Sequence, residues 1–228
     1  MTEVTVSSTW HGEPPAAPRS AVVVAPHPDD EVLGMGGLLI HLHEQRIPTC
    51  VVAVTDGEGS HARSLVVTPA ELRRRRAAER LEALRALRVD PDLVRLGLRD
   101  GAVGADEARL ADALEALIDP TTAVIAPWRH DGHPDHEAVA RAAQTACDRA
   151  GACLWEVPIW AKVPGPRAGI PWRSALVLSP DVGARKRAAV ACFATQMRAL
   201  GPDAADGPVV HEPEVDAMLN GREELLWT

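Results

Sequence analysis

Ala21-Val22-Val23-Val24-Ala25-Pro26-His27-Pro28-Asp29-Asp30-Glu31 is the stretch on which the fold turns. Its first half is an apolar run of the kind that fills a strand buried on both faces. Its second half packs one imidazole and three carboxylates into five positions. Gly34-Met35-Gly36-Gly37-Leu38-Leu39 then opens a helix. The charges therefore sit at a strand-to-helix junction. Desolvating them there is costly unless a cation or a proton-transfer task offsets it.

Outward from this junction, strand and helix signals alternate. Strand patterns fall at residues 20–26, 49–55, 93–98, 122–127, 153–160 and 175–179, and helix patterns at 32–45, 69–88, 107–118, 137–150 and 181–200. Thr68-Pro69-Ala70-Glu71 reads as a capping box with proline at the first helical position. In the helix that follows, Leu72, Leu81, Leu84 and Leu87 share one stripe, which leaves Arg73 to Arg76 mainly on solvated faces. The alternation predicts a single Rossmann-like α/β domain over residues 20–228. Its sheet is expected to be mostly parallel, with helices on both faces. Residues 1–19, polar and proline-rich, read as a flexible N-terminal arm. Gly34, Gly36 and Gly37 do not have nucleotide-fingerprint spacing and are assigned to close helix–strand packing.

Composition narrows the function. A chain of 228 residues supports one sizeable core. The net charge is −8 and the only basic block is Arg73 to Arg76, which argues against nucleic acid as a partner. No apolar run approaches the roughly 20 residues of a membrane span. No secretion signal is evident, so a cytoplasmic location is expected. Cys50, Cys147, Cys153 and Cys192 form no CxxC pair and read as small buried hydrophobes in a reducing compartment. Tyrosine is absent and phenylalanine occurs once, so six tryptophans carry most of the aromatic surface. Assembly into a homo-oligomer is left open.

Ligands of parallel sheets bind beyond the carboxyl ends of the strands. His27 to Glu31 and the second cluster, His130-Asp131-Gly132-His133-Pro134-Asp135-His136, both follow strands there. His27, Asp30 and His136 would make a two-imidazole, one-carboxylate metal site with a position left for water. Zn²⁺ suits such a set, and another divalent ion such as Fe²⁺ is an alternative. Asp29 is then the general base. His133 would meet the developing oxyanion and help the amine leave. Asp135 would hydrogen-bond His133 and hold it protonated. Glu31 reads as a structural hydrogen-bonder, His61 and His130 as polar loop residues, and His11, His41, His43 and His211 as surface residues. These parts describe metal-assisted hydrolysis of an amide. Two other classes use similar residues: a non-haem iron oxygenase and a non-catalytic sugar-binding protein.

Ala25-Pro26-His27-Pro28-Asp29-Asp30-Glu31 resembles the (A/P)-H-P-D-D-E signature of the LmbE-like, or PIG-L, de-N-acetylases, and His133-Pro134-Asp135-His136 resembles their H-P-D-H. Thr55-Asp56-Gly57 is similar to the family's T-x-G loop, and Arg76-Ala77-Ala78-Glu79 to its R-x-x-E segment. Lys186, Ala189 and Thr195-Gln196 are similar to its K-x-x-A…S-Q pattern, with threonine in place of serine. The resemblance implies a Rossmann-like fold, a zinc-type metal on His27, Asp30 and His136, Asp29 as base and His133 as acid or oxyanion partner. It also implies hydrolysis of an N-acetyl or related amide on an N-acetylglucosamine-like glycoside or other small sugar-containing metabolite. A thiol-sugar amidase is the alternative. Arg63 and Asp100 lie in loops where the family contacts its sugar. The pocket loops that would set the substrate are residues 58–67, 98–106 and 160–173. Trp155, Trp160 and Trp172 match no family motif; they read either as an apolar wall for an aglycone or as core.

Overall fold

A computed structural model of the chain describes residues 8–13, 16–163 and 171–227. In chain order the elements are β1 (Thr9–Gly12), β2 (Ser20–Ala25), α1 (Asp30–Leu33), α2 (Gly36–Glu44), β3 (Thr49–Thr55), α3 (Pro69–Leu87), β4 (Asp92–Leu98) and α4 (Glu107–Glu115). They continue with β5 (Thr122–Pro127), α5 (Pro134–Ala150), β6 (Cys153–Val157), β7 (Ser174–Val177), α6 (Pro180–Val190), α7 (Ala194–Met197), α8 (Glu212–Met218) and β8 (Arg222–Trp227).

Among the described residues these strands form one sheet in the order β1-β7-β8-β6-β5-β2-β3-β4. The sheet is mixed. The half running β4-β3-β2-β5-β6 is parallel, as expected, whereas β8 and β7 and then β1 are paired antiparallel. Two of the antiparallel strands were not anticipated. Thr9–Gly12, inside the expected flexible arm, forms an edge strand on β7. Arg222–Trp227 escaped notice because Glu223 and Glu224 interrupt its apolar pattern, yet both are buried. Lys186 Nζ lies 2.6 Å from Glu223 and Lys162 Nζ 3.0 Å from Glu224, so each carboxylate has a cation.

Side chains of the central strands alternate between two cores. Ala21, Val23 and Val51 pack with Leu38, Leu42, Leu84 and Leu87 of α2 and α3. Val22, Val24, Val52 and Val54 pack with Leu110, Leu114 and Val139 of α4 and α5. Helices thus cover both faces of the parallel half, which explains why β2 is apolar at successive positions. Among the described residues no helix is long and apolar enough to cross a membrane. Of the four cysteines only Cys147 is buried; Cys153 is exposed, unlike the expected small core residue.

The helix expected over 32–45 is broken into α1 and α2. Glu223 accepts hydrogen bonds from Gly37 N at 2.7 Å and Leu38 N at 2.8 Å, and so caps α2 from the last strand. A Cβ at Gly37 would lie 2.3 Å from Leu178 Cδ2, which confirms close packing as the role of that glycine. Thr68 caps α3 through its side chain, as the sequence predicted, with Glu71 N donating at 3.2 Å. Residues 181–200 hold α6 and α7 rather than one long helix.

Arg80 of α3 and Glu31 of α1 form a fully buried pair at 2.8 Å, which locks α1 beneath the sheet's carboxyl end. Removing one member leaves an uncompensated charge. Arg80→Met is expected to lower unfolding free energy by about 3–5 kcal/mol in urea titrations, and Arg80→Met with Glu31→Leu to recover part of it.

Candidate active site

β2 and β5 are neighbours in register, Val22 opposite Val124, and the chain leaves them toward opposite sides of the sheet. A crevice opens at such a switch point. The end of β2 delivers His27, Asp29 and Asp30 to it, and the end of β5 delivers His133 and His136. The cavity there measures about 340 Å³. A larger depression of about 650 Å³ lies at the opposite end, beside Pro48 and Thr49 at the start of β3. Among the described residues it holds no metal-ligating cluster, so the chemistry belongs to the smaller cavity.

Asp29 adopts φ 133°, a conformation that non-glycine residues rarely take and that costs about 1–3 kcal/mol. This bend lets both Asp29 and Asp30 line the cavity. Asp30 Oδ2 stands 3.1 Å from His27 Nδ1 and 3.2 Å from His136 Nε2. It therefore bridges two imidazoles that start 109 residues apart in the chain. His133 joins them, with one nitrogen each of His27, His133 and His136 within 4.8 Å of one another.

These residues fit a divalent cation. His136 Nδ1 bonds Asp131 Oδ2 at 2.8 Å, which fixes the ring and leaves Nε2 facing Asp30. Nε2 is fully buried and makes no hydrogen bond: it is near enough to Asp30 but not aligned with it. A buried, oriented nitrogen lone pair beside a carboxylate is what a ligand set provides. Asp131 also accepts from Ile159 N, Trp160 N and Ala161 N at 2.7, 3.1 and 3.0 Å, so its position is set by four donors. Sequence reading missed it; its one signal was an aspartate five residues before a candidate ligand.

Protons stand in when no cation is held. Burial opposes charge on His136, but the nearby Asp30 charge and the bond to Asp131 outweigh it and raise its pKa to about 9. Burial also opposes charge on His27, yet Asp100, Asp135 and Asp30 together raise it well above its ordinary value. Burial likewise works against ionisation of Asp30, but His136 and His27 hold its carboxyl well below the usual carboxylate range.

Burial pushes Asp29 up to about 7, with the Arg76 charge opposing and that of Asp30 adding. A carboxylate poised near neutrality suits a general base. Arg76 was expected on a solvated face and is buried instead. Its Nη2 lies 3.4 Å from Asp29 Oδ1 and donates to Pro28 O at 2.7 Å, while Nη1 donates to Gly57 O at 2.9 Å. Gly57, at φ 69°, leaves no room for a Cβ, which would lie 1.9 Å from Arg76 Nη1. The two ends of the R-x-x-E match thus have distinct physical content: Arg76 reaches the site, whereas Glu79 accepts from Thr195 N and Oγ1 and ties α3 to α7.

Two expected roles change. The Asp135 carboxylate does not hold His133 protonated; it accepts from Gly101 N and Val103 N and meets His27 Nε2 at 3.2 Å. His133 caps α5, its Nδ1 accepting from Asp135 N at 3.3 Å. Burial, then the charges of His27 and His136, lower the His133 pKa. Its proton therefore sits on Nε2 of a neutral ring.

Asp100 lines the cavity, accepts from Gly59 N at 2.8 Å and stands 3.2 Å from His27 Nε2. Arg63 is exposed and does not line it. Of the three unplaced tryptophans only Trp160 borders the cavity; Trp155 is core and Trp172 lies under Arg222 on the surface. His61, expected as a loop residue, is buried and faces Gly207 O at 3.1 Å, while His130 is exposed. Gln196, Val209 and Val210 also line the cavity and come from segments the sequence did not single out for substrate.

Two outcomes are expected. Zinc binding at pH 7 should release protons from the apo site and weaken about tenfold per proton for each pH unit of acidification, measured by calorimetry in buffers of differing ionisation enthalpy. Asp131→Ala should cost about 10–100-fold in metal affinity by competition with a chromophoric chelator.

Residues 22–147 match the family PIG-L, described as GlcNAc-PI de-N-acetylase, and the chain belongs to it. The chain is 35% identical over 127 residues to a Bacillus subtilis (strain 168) protein named probable N-acetyl-alpha-D-glucosaminyl L-malate deacetylase 2, covering 53% of this chain and 57% of that one. It is 34% identical over 166 residues to the 1D-myo-inositol 2-acetamido-2-deoxy-alpha-D-glucopyranoside deacetylase of Mycobacterium sp. (strain KMS), covering 62% and 53%. The chain thus spans about half the length of the curated relatives it matches. In structure it is similar to the antimicrobial reagent A40926 pseudoaglycone deacetylase Dbv21, with TM-score 0.70, 23% identity and coverage of 92% and 97%, a likeness of fold.

Proposed function

We propose that this protein is a zinc-type metal-dependent hydrolase that removes an N-acetyl group from an N-acetylglucosamine-like glycoside. The observation that carries the reading is Asp30, bridging His27 and His136 with Asp29 beside it on a strained turn. His27, Asp30 and His136 would hold the cation. A cation bound there supplies a Lewis acid that polarises the amide carbonyl and makes nearby water more acidic.

Asp29, oriented by Arg76, takes the proton of the attacking water. Neutral His133 offers its Nε2–H to the oxygen on which charge develops, a task for a donor that stays uncharged. The carbon–nitrogen bond breaks as the proton held on Asp29 passes to the departing nitrogen. Free amine and acetate are the products. His133 therefore serves as an oxyanion donor, and Asp29 both takes and returns the proton. Asp100 and Gln196 border the same space and are proposed to meet sugar hydroxyls. Family membership and the relatives' names support this reading.

Asp29→Ala should lower kcat by about 10²–10⁴-fold while metal content by atomic absorption is kept. His133→Ala should cost about 10²–10³-fold in kcat. Activity equal to wild type per bound zinc in Asp29→Ala would remove the base from the scheme. The primary assay is free-amine and acetate release from N-acetylglucosaminides by the zinc-loaded protein.

A further inference from the structure

Resting on the deacetylase reading, we infer that the group attached to the sugar in this protein's substrate is uncharged and apolar, an alkyl or aryl aglycone rather than an acid. The cavity's lining carboxylates are Asp29, Asp30 and Asp100, and its one lining arginine or lysine among the described residues is Arg76. That guanidinium is already committed: both terminal nitrogens are bonded to Gly57 O, Pro28 O and Asp29. Its Nε–H is unpaired but has no exposed surface, so a ligand in the cavity does not reach it. One relative is named for an L-malate glycoside. A malate group brings two carboxylates and needs donors or cations to replace its water. Here it would meet acidic neighbours and no uncommitted arginine or lysine among the described lining residues.

Part of the lining is apolar. Leu33, Trp160, Val209 and Val210 border the cavity. Val209 N and Val210 N are both bonded to Gln196 O, at 2.9 and 3.1 Å, which sets this wall firmly beside the polar residues. The segment leading into Val209 is joined to the loop after β3 by His61 and Gly207 O, and the Cβ position of Gly201 is 3.1 Å from Val66 Cγ2. Next to Val66 stands Leu65, 93% exposed, in the loop whose base, Gly59 and Ser60, lines the cavity. An exposed leucine on a loop whose base lines the cavity has a use if a hydrocarbon leaves the cavity past that loop.

The test compares octyl, methyl and malyl N-acetylglucosaminides with the zinc-loaded full chain, following free amine. Expected is a kcat/KM for the octyl glycoside at least about tenfold above the methyl one, carried mainly by KM, with the malyl glycoside at or below the methyl. Val209→Ser and Leu65→Ser should each lower the octyl-to-methyl ratio about threefold or more. A malyl glycoside cleaved faster than the octyl one, equal values for octyl and methyl, or a ratio unmoved by both substitutions overturns the inference and leaves the deacetylase reading standing. No amine from any of the three by protein with bound zinc overturns the deacetylase reading and the inference with it.

Discussion

One carboxylate between two imidazoles organises this protein. Asp30 comes from the end of β2 and His136 from the helix that follows β5, and the two strands lie side by side with the chain diverging beyond them. Without that carboxylate, His27 and His136, with ring centroids 5.4 Å apart, would face each other as like charges. With it, the cluster has an excess of acid that a cation or protons must balance. The surrounding arrangement follows from keeping such charges out of water yet compensated. Arg76 lies across the strained turn at Asp29, Arg80 neutralises Glu31 two residues further on, and Asp131 holds the far side of His136.

The same economy of charge separates the proposed base from the proposed ligand. Asp29 and Asp30 are adjacent in sequence and equally hidden, but their partners differ. Asp30 is faced by two imidazoles and stays ionised; Asp29 is faced by one guanidinium and by Asp30 itself, and its proton affinity rises toward neutrality. Neighbouring identical side chains thus acquire different tasks from their surroundings.

Much of this was legible in the sequence, for a physical reason. His27, Asp29, Asp30 and His136 stood out because charged residues directly after buried strands need an explanation, and strand ends are where a parallel sheet brings distant segments together. Arg76 was hidden by its company: Arg73, Arg74 and Arg75 make the run look like a solvated face, and only tertiary packing shows which arginine turns inward. β8 was hidden because its glutamates are neutralised by lysines from other elements, a pairing invisible to local periodicity. The role of Asp135 was misread since sequence proximity favours His133, whereas its carboxylate lies against His27 and two backbone amides of the loop after β4.

The position of β8 also bears on how the molecule assembles. It lies between β6 and β7, pairs with both, and places Glu223 on the start of α2. The parallel half, with its two helical layers, can close from contacts made earlier in the chain. The antiparallel half cannot until β8 is in place, because β8 joins it to β6 and follows every other described strand in chain order. Until then β6 presents an unpaired edge and α2 an uncapped first turn, a state open to wrong strand partners. Joining the two halves is a long-range event, and such events are slow. The strand that completes the sheet is therefore also the one that shields the folding chain from aggregation.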